Sequence, residues 1–213
     1  MKPLSQLLAQ DSFSRGDLAQ LIGLHDPAER EALYRAAYEV KARRVGRVDY
    51  YRGLIEFSNI CVKNCLYCGI RKGSRGVRRF ESTLEEILEQ AKWVFGHHYG
   101  SVVLQSGERT DPKFIDFVDE AVRGIKRVTG GRLGITLCVG EQTEETYRRW
   151  FASGAHRYLL RIEESSPAFY AAMHPADGRH LWQVRHECLL ALRRAGYQVG
   201  TGVMIGLPGQ SEE

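Results

Sequence analysis

The feature that most constrains the fold of this chain is an alternation of short β-rich runs with amphipathic helical segments, which begins after residue 46. Strands joined through helices run parallel, because each helix carries the chain back to the end of the sheet from which it started. We therefore expect an α/β fold of about five βα units. The strands are predicted at 49–57, 101–105, 133–138, 156–162 and 198–204.

Capping residues predict where the helices between these strands begin. Ser82 with Glu85 matches a capping box, and Asp111 precedes a proline that suits the first helical turn. The helices are expected to open at Ser82, Asp111, Thr143, Ser166 and near Leu181.

Two architectures accept five βα units: a doubly wound open sheet, or part of an eight-stranded TIM-type (β/α) barrel. The chain ends in GLPGQSEE, a glycine-rich turn followed by residues that resemble a helix start. This ending predicts a barrel domain over 47–213 that is incomplete at its C-terminus. Residues 1–46 are helical in pattern and are expected to form a separate N-terminal helical segment.

Composition and charge exclude several classes of protein. A 43% hydrophobic chain of 213 residues is too apolar for a disordered protein, and a net charge of +4 is too small to indicate a nucleic-acid binder. There is neither an apolar run of the roughly 20 residues that a membrane span needs nor a signal peptide. A cytoplasmic protein without membrane or nucleic-acid partners is expected.

Three of the five cysteines lie within eight residues, in SNICVKNCLYCGI, directly after the first predicted strand. Cys61, Cys65 and Cys68 would supply soft thiolate ligands, which suit an iron–sulfur cluster or zinc. A structural zinc site needs four protein ligands, whereas Cys138 and Cys188 stand alone on later elements. A cluster with one open iron is favoured, with a zinc site and a chance grouping of cysteines as alternatives.

CVKNCLYC matches the CxxxCxxC motif of the radical S-adenosylmethionine (SAM) superfamily. The blocks GLIEFSNICVKNCLYCGIRKG, VVLQSGE, ITLCVGE, RYLLR and GYQVGTGVMIGLPGQ resemble the HydE family of [FeFe]-hydrogenase maturases over about residues 50 to 210. The resemblance implies a [4Fe–4S] cluster on Cys61, Cys65 and Cys68. It also implies that SAM binds the open iron and is cleaved reductively to a 5′-deoxyadenosyl radical.

The same resemblance implies a set of SAM-binding residues. Tyr67 would approach the adenine, and Ser106, Gly107 and Glu108 would receive the SAM amino group. Arg185 would reach the SAM carboxylate, and His174 stands where relatives carry a basic residue.

Alternation along the last two predicted strands adds further candidates. Arg161 and Glu163 share one face of strand four, where opposite charges must either pair or hold a ligand. A structural ion pair is the alternative. Gly200, Gly202 and Met204 share one face of strand five and would leave room for a ligand, which adds Met204 to the cofactor-binding candidates.

HydE resemblance implies an organometallic iron precursor as substrate, other hydrogenase maturases as partners, and a reductant such as ferredoxin or flavodoxin. Another enzyme of the biotin synthase, methylornithine synthase or tyrosine lyase group stays open as an alternative. A non-catalytic iron–sulfur or zinc-binding fragment is the alternative from a different class of protein.

Overall fold

A computed structural model describes residues 2–210, which form two compact units that divide between residues 49 and 50. The sequence predicts this division close by, at 46/47. The N-terminal unit contains three helices, α1 (Leu4–Leu8), α2 (Arg15–Ile22) and α3 (Pro27–Arg44).

Side-chain caps set the starts of the two longer N-terminal helices. Ser14 and Asp17 form a capping box at α2, since each side chain accepts a hydrogen bond from the backbone amide of the other. At α3 the Asp26 carboxylate accepts from the amides of Ala28 and Glu29. These caps satisfy amides that the first helical turn leaves without partners.

The second unit is built on one parallel sheet whose strands lie side by side in chain order. A doubly wound sheet reverses its strand order at a switch point, whereas sequential order belongs to a barrel. The predicted α/β fold, a partial TIM-type barrel of five βα units, is therefore confirmed. The strands are β1 (Gly53–Ser58), β2 (Ser101–Ser106), β3 (Gly134–Cys138), β4 (Arg157–Leu159) and β5 (Gln198–Gly200).

One predicted helix start is displaced by a single residue. Thr83 and Glu86 form the capping box, rather than Ser82 and Glu85, because the Ser82 amide donates instead to the carbonyl of Phe57 at the end of β1. None of the helices that the structure describes is both long and apolar enough to cross a membrane. The helices of this unit are α4 (Leu84–Gly96), α5 (Pro112–Val128), α6 (Glu144–Ala152), α7 (Pro167–Ala172) and α8 (Trp182–Arg194).

The last two strands are shorter than the sequence predicts. β4 and β5 pair over three residues, and their regular ladder ends at Leu159 and Gly200. The chain then turns at Glu163, whose φ of 67° lies in the left-handed region that non-glycine residues seldom adopt. A single parallel bridge between Glu163 and Val203 continues the strand direction without extending the ladder.

The two faces of the sheet differ in what covers them. Ile55, Leu104 and Tyr158 lie on the helix-covered face and are almost completely buried in one hydrophobic cluster with residues of α4, α5, α6 and α8. On the opposite face Leu54 is 56% exposed and Glu56 is also exposed. The core of the unit therefore lies between the sheet and its helices.

Candidate metal centre and adjacent buried charges

The three clustered cysteines lie on the loop that leaves the carboxyl end of β1. Two backbone hydrogen bonds connect this loop to the turn after β2. The Val62 amide donates to the Glu108 carbonyl at 2.9 Å, and the Glu108 amide donates to Cys61 Sγ at 3.3 Å. An amide directed at sulfur stabilises the thiolate, which is the form that binds a metal.

The donor set suits an iron–sulfur cluster. Cys61, Cys65 and Cys68 are all free thiols. Burial raises the pKa of Cys61 and raises that of Cys65 to about 11. Cys68 adds a smaller increase to the pKa of Cys61, and both Cys61 and Cys68 add smaller increases to that of Cys65. The three thiols therefore lie within electrostatic reach of one another.

Within residues 2–210, no three His, Cys, Asp or Glu side chains lie close enough to hold one metal ion. A [4Fe–4S] cluster binds each cysteine through a different iron, so its ligands need not converge on one point. Metal coordination also deprotonates a thiol outright, which offsets the raised pKa of the free form.

Gly107 allows the turn after β2 to lie against the cysteine loop. A Cβ at this position would overlap the carbonyl oxygen of Ile60 and lie 2.8 Å from Cys61 Cβ. The adjacent Ser106 hydroxyl donates to the Gly107 carbonyl at 2.7 Å. The sequence assigns Gly107 and Ser106 to the SAM amino group, and the structure gives Gly107 an additional packing function.

Four charged side chains meet beside this turn, and we call Lys63, Glu108, Glu141 and Arg185 the charge ring. Each is less than one tenth exposed. Lys63 Nζ lies 3.2 Å from Glu108 Oε1 and 2.7 Å from Glu141 Oε2. Arg185 closes the ring, with Nη2 at 3.4 Å from Glu108 Oε2 and Nε at 2.9 Å from Glu141 Oε1. The ring has no net charge.

Backbone carbonyls complete part of the hydrogen bonding of the ring. Lys63 Nζ donates to the carbonyl of Arg179, and Arg185 Nη1 donates to that of Arg161 at 3.2 Å. Arg185 Nε and Glu141 Oε1 are close but not aligned, and neither has a hydrogen-bond partner in the described part of the chain. Their contact is therefore an ion pair alone.

The charges of the ring act on one another's pKa. Burial raises the pKa of Glu108, and the neighbouring Glu141 carboxylate adds to this, against the opposing effect of the two cations. Burial by itself would lower the pKa of Lys63, but the two carboxylates outweigh it and the pKa is raised. The pKa values of Glu108 and Lys63 therefore depend on their charged neighbours.

Glu108 and Arg185 are candidates from the sequence, whereas sequence reasoning missed Lys63 and Glu141. A signal for Glu141 was present, because a Gly-Glu pair follows β2 and another follows β3. Gln105 pairs with Cys138 across these strands, and the same sequence separation relates Glu108 to Glu141. The strand register therefore predicts that the two carboxylates lie side by side.

Tyr67 and His174 lie against each other, with Tyr67 Oη and His174 Nε2 at 3.2 Å. His174 Nδ1 lies 2.7 Å from the carbonyl of Tyr170, so this nitrogen must carry the proton, and Nε2 then accepts from Tyr67. Burial lowers the pKa of His174 and favours its neutral form. The position therefore carries a histidine whose desolvation favours the neutral ring.

Arg161, Glu163 and Met204 come together beyond the ends of β4 and β5. Arg161 Nε lies 3.2 Å from Glu163 Oε1, and Met204 donates its amide to the Glu163 carbonyl at 2.9 Å. The two charges do pair, but strand alternation does not explain it, because β4 ends at Leu159. Glu163 is buried, while the Arg161 side chain is 53% exposed.

The connection between α7 and α8 holds the cysteine loop from its other side. The Leu66 amide donates to the Met173 carbonyl at 3.1 Å, and the Asn64 amide donates to His180 Nε2 at 2.9 Å. The His180 side chain is 1% exposed, and its Nδ1 lies 2.6 Å from Asp177 Oδ1. The loop is therefore fixed between two elements that are distant in sequence.

The model of a protein family described as the Radical SAM superfamily matches residues 55–213. The [FeFe] hydrogenase maturase subunit HydE of Thermotoga maritima is 37% identical over 211 residues, which cover 99% of this chain and 58% of that protein. The chain thus spans less than two thirds of the length of this relative.

Solved structures give similar folds. Methylornithine synthase (PylB) superposes with a TM-score of 0.83 at 25% identity, over 96% of this chain and 59% of that one. The [FeFe]-hydrogenase maturase HydG from Carboxydothermus hydrogenoformans superposes with a TM-score of 0.84 at 22% identity, over 94% and 47%. The HydG match concerns the fold alone.

Proposed function

The chain belongs to the radical SAM superfamily, and from this premise we propose that Cys61, Cys65 and Cys68 hold a [4Fe–4S] cluster with one iron free for SAM. Membership of the superfamily implies both cofactors. When bound, the cluster supplies the electron for reductive cleavage of SAM. The observation that carries the proposal is the hydrogen bond from the Glu108 amide to Cys61 Sγ, which joins the cysteine loop to the proposed SAM site.

The residues around the cysteines support a SAM site by their charge. We assign the SAM ammonium to Glu108 and the SAM carboxylate to Arg185, because a buried carboxylate and a planar guanidinium suit those groups. Ser106 and Gly107 belong to the same turn as Glu108. Further proposed contacts of the cofactor are Tyr67, Arg161, Glu163, His174 and Met204.

For the substrate, we propose an organometallic iron precursor handled in [FeFe]-hydrogenase maturation, because a HydE subunit is 37% identical over 99% of this chain. Other hydrogenase maturases and a reductant such as ferredoxin or flavodoxin are the proposed partners. Free thiol ligands require a reducing compartment, so the cytoplasm is the proposed location.

A second candidate is an amino-acid-modifying radical SAM enzyme. The specific observation that favours it is the match to methylornithine synthase, which covers 96% of this chain at 25% identity. The higher identity to HydE supports the maturase function more strongly than this alternative.

Anaerobic reconstitution tests the proposed function. The protein is loaded with iron and sulfide, then given SAM and dithionite, and 5′-deoxyadenosine is measured. We expect cluster absorption, an EPR signal on reduction, and formation of the nucleoside. Cys65→Ala should abolish the cluster, whereas Cys188→Ala, on α8, should leave it intact.

Each other outcome has a definite meaning. Zinc as the only bound metal would exclude radical chemistry. A complete cluster without SAM cleavage would identify a cluster-binding fragment that lacks the activity.

A further inference from the structure

The charge ring contains two residues that the proposed SAM contacts leave unexplained, Lys63 and Glu141. Both are less than one tenth exposed, and their separation of 2.7 Å is the shortest in the ring. Burying a charge is costly unless it is paired, and replacing a buried ion pair by apolar side chains is often neutral or stabilising. Stability alone is therefore a weak reason for this pair.

The charges in the ring divide into two neutral pairs. Lys63 with Glu141 forms the tighter one, and Glu108 with Arg185, at 3.4 Å, forms the longest contact of the four. An α-amino-acid head group carries one ammonium and one carboxylate. It can therefore enter between Glu108 and Arg185 without adding net charge, provided that the charges of Lys63 and Glu141 cancel each other.

Two atoms of the ring also have unused hydrogen-bonding capacity. Arg185 Nε is a buried donor and Glu141 Oε1 a buried acceptor, and neither makes a hydrogen bond within residues 2–210. A buried polar atom without a partner costs free energy, unless a ligand or water satisfies it. A ligand carboxylate is the complementary group for the Arg185 donor, whereas Glu141 Oε1 keeps its ionic contact with Arg185 Nε at 2.9 Å.

We propose that Lys63 and Glu141 are positioning residues whose opposite charges cancel each other, so that the buried ring stays neutral and Glu108 and Arg185 receive the zwitterionic head group of SAM. The inference rests on the proposed function. It assigns new functions only to Lys63 and Glu141, which act through their neighbours. Removing either partner leaves the ring with one net charge, and removing both restores neutrality.

The test measures ligand affinity in the anaerobically reconstituted protein, without reductant. SAM carries the head group, whereas 5′-methylthioadenosine has the same nucleoside and lacks it. Lys63→Met and Glu141→Gln should each weaken SAM binding by about tenfold or more, which corresponds to about 1.4 kcal/mol. Binding of 5′-methylthioadenosine should change by less than about twofold.

The double variant K63M/E141Q tests whether SAM affinity recovers when both charges are removed. Because it restores neutrality, SAM affinity should return to within about threefold of the unmodified protein. Lys113→Met and Glu145→Gln change the same residue types at exposed positions and serve as matched controls. Iron content and cluster absorption are measured for every variant.

Several results would overturn the inference. Equal loss of both ligands would show a structural function for the pair, and unchanged SAM affinity in the single variants would show none. Should the single variants lose their cluster, the double variant decides: loss of its cluster, or SAM binding no better than about tenfold weakened, rejects the proposal. An unmodified protein that forms no cluster or does not bind SAM would instead reject the proposed function itself.

Discussion

The helix-covered face of the sheet and the loops at its carboxyl end are constructed from opposite kinds of residue. The covered face carries fully buried apolar side chains such as Leu104 and Leu137. The loops carry the cysteines and three of the four buried charges of the ring, and Arg185 of α8 supplies the fourth. Burial of apolar side chains stabilises the fold whatever their orientation to one another. A buried charge, in contrast, requires a partner at a defined distance and angle. The residues that stabilise the fold thus lie on the helix-covered face, and the candidate binding residues lie at the carboxyl end of the same sheet.

The strongest test of this division compares two leucines on neighbouring strands. Leu104→Ala removes a fully buried side chain and should lower the free energy of unfolding by about 2–5 kcal/mol. Leu54→Ala makes the same change on the opposite face, where the side chain is 56% exposed. It should change the free energy of unfolding by no more than about 0.5 kcal/mol. Urea denaturation followed by circular dichroism measures both. Equal losses would contradict the division.

A second test acts on the contact between the turn after β2 and the cysteine loop. Gly107→Ala places a Cβ against Ile60 and Cys61, and overpacking of this kind costs about 1–3 kcal/mol. Because the loop must move, iron content after reconstitution should fall. Gly100→Ala is the matched control, since a Cβ there meets nothing within 4 Å. Full iron content in Gly107→Ala would show that the loop adapts.

A third test addresses the other attachment of the cysteine loop. His180→Leu leaves the Asn64 amide without its acceptor and should destabilise the protein by about 1–3 kcal/mol. His180→Gln keeps an acceptor near the position of Nε2 and should recover most of this loss. Hydrogen exchange at the Asn64 amide distinguishes the two variants. Equal exchange rates would indicate that the histidine contributes by packing alone.

The smallest expected effect is a gain in stability. Thr136 is buried on β3, and its hydroxyl has no hydrogen-bond partner in the described part of the molecule. Thr136→Val keeps the shape and removes the orphaned group, so the free energy of unfolding should rise by about 1 kcal/mol. Thermal unfolding measures this change. A loss of stability would mean that the hydroxyl has a partner in solution.

Helices and strands with a clear repeat of apolar residues could be predicted from the sequence, whereas the residues at which they begin and end could not. All five strands were predicted, but β4 and β5 continue in sequence as β-rich runs and end where their mutual pairing stops. Ser82 and Thr83 each precede a glutamate by three residues, so local sequence does not distinguish them. The choice depends on a backbone contact with β1 that closes after folding.

The candidate site likewise contains residues that local sequence predicts and residues that it does not. The cysteine spacing and the Gly-Glu pair after β2 are local signals, and resemblance to a family was enough to find them. The pairing of Lys63 with Glu141 joins residues 78 positions apart. At His174, a position where the resembling family carries a basic residue, desolvation favours the neutral ring. Long-range partners and burial decide these properties, and neither is visible in local sequence.

The matching Gly-Glu pairs after β2 and β3 have a consequence for how this chain can vary between species. A residue inserted within one of the two strands would shift its glutamate by one position against the other and so break the strand register that places Glu108 beside Glu141. Insertions in the connection from β2 to β3, which contains α5, leave that register untouched. Evolution is therefore free to change the lengths of the connections, while the lengths of β2 and β3 must be inherited unchanged.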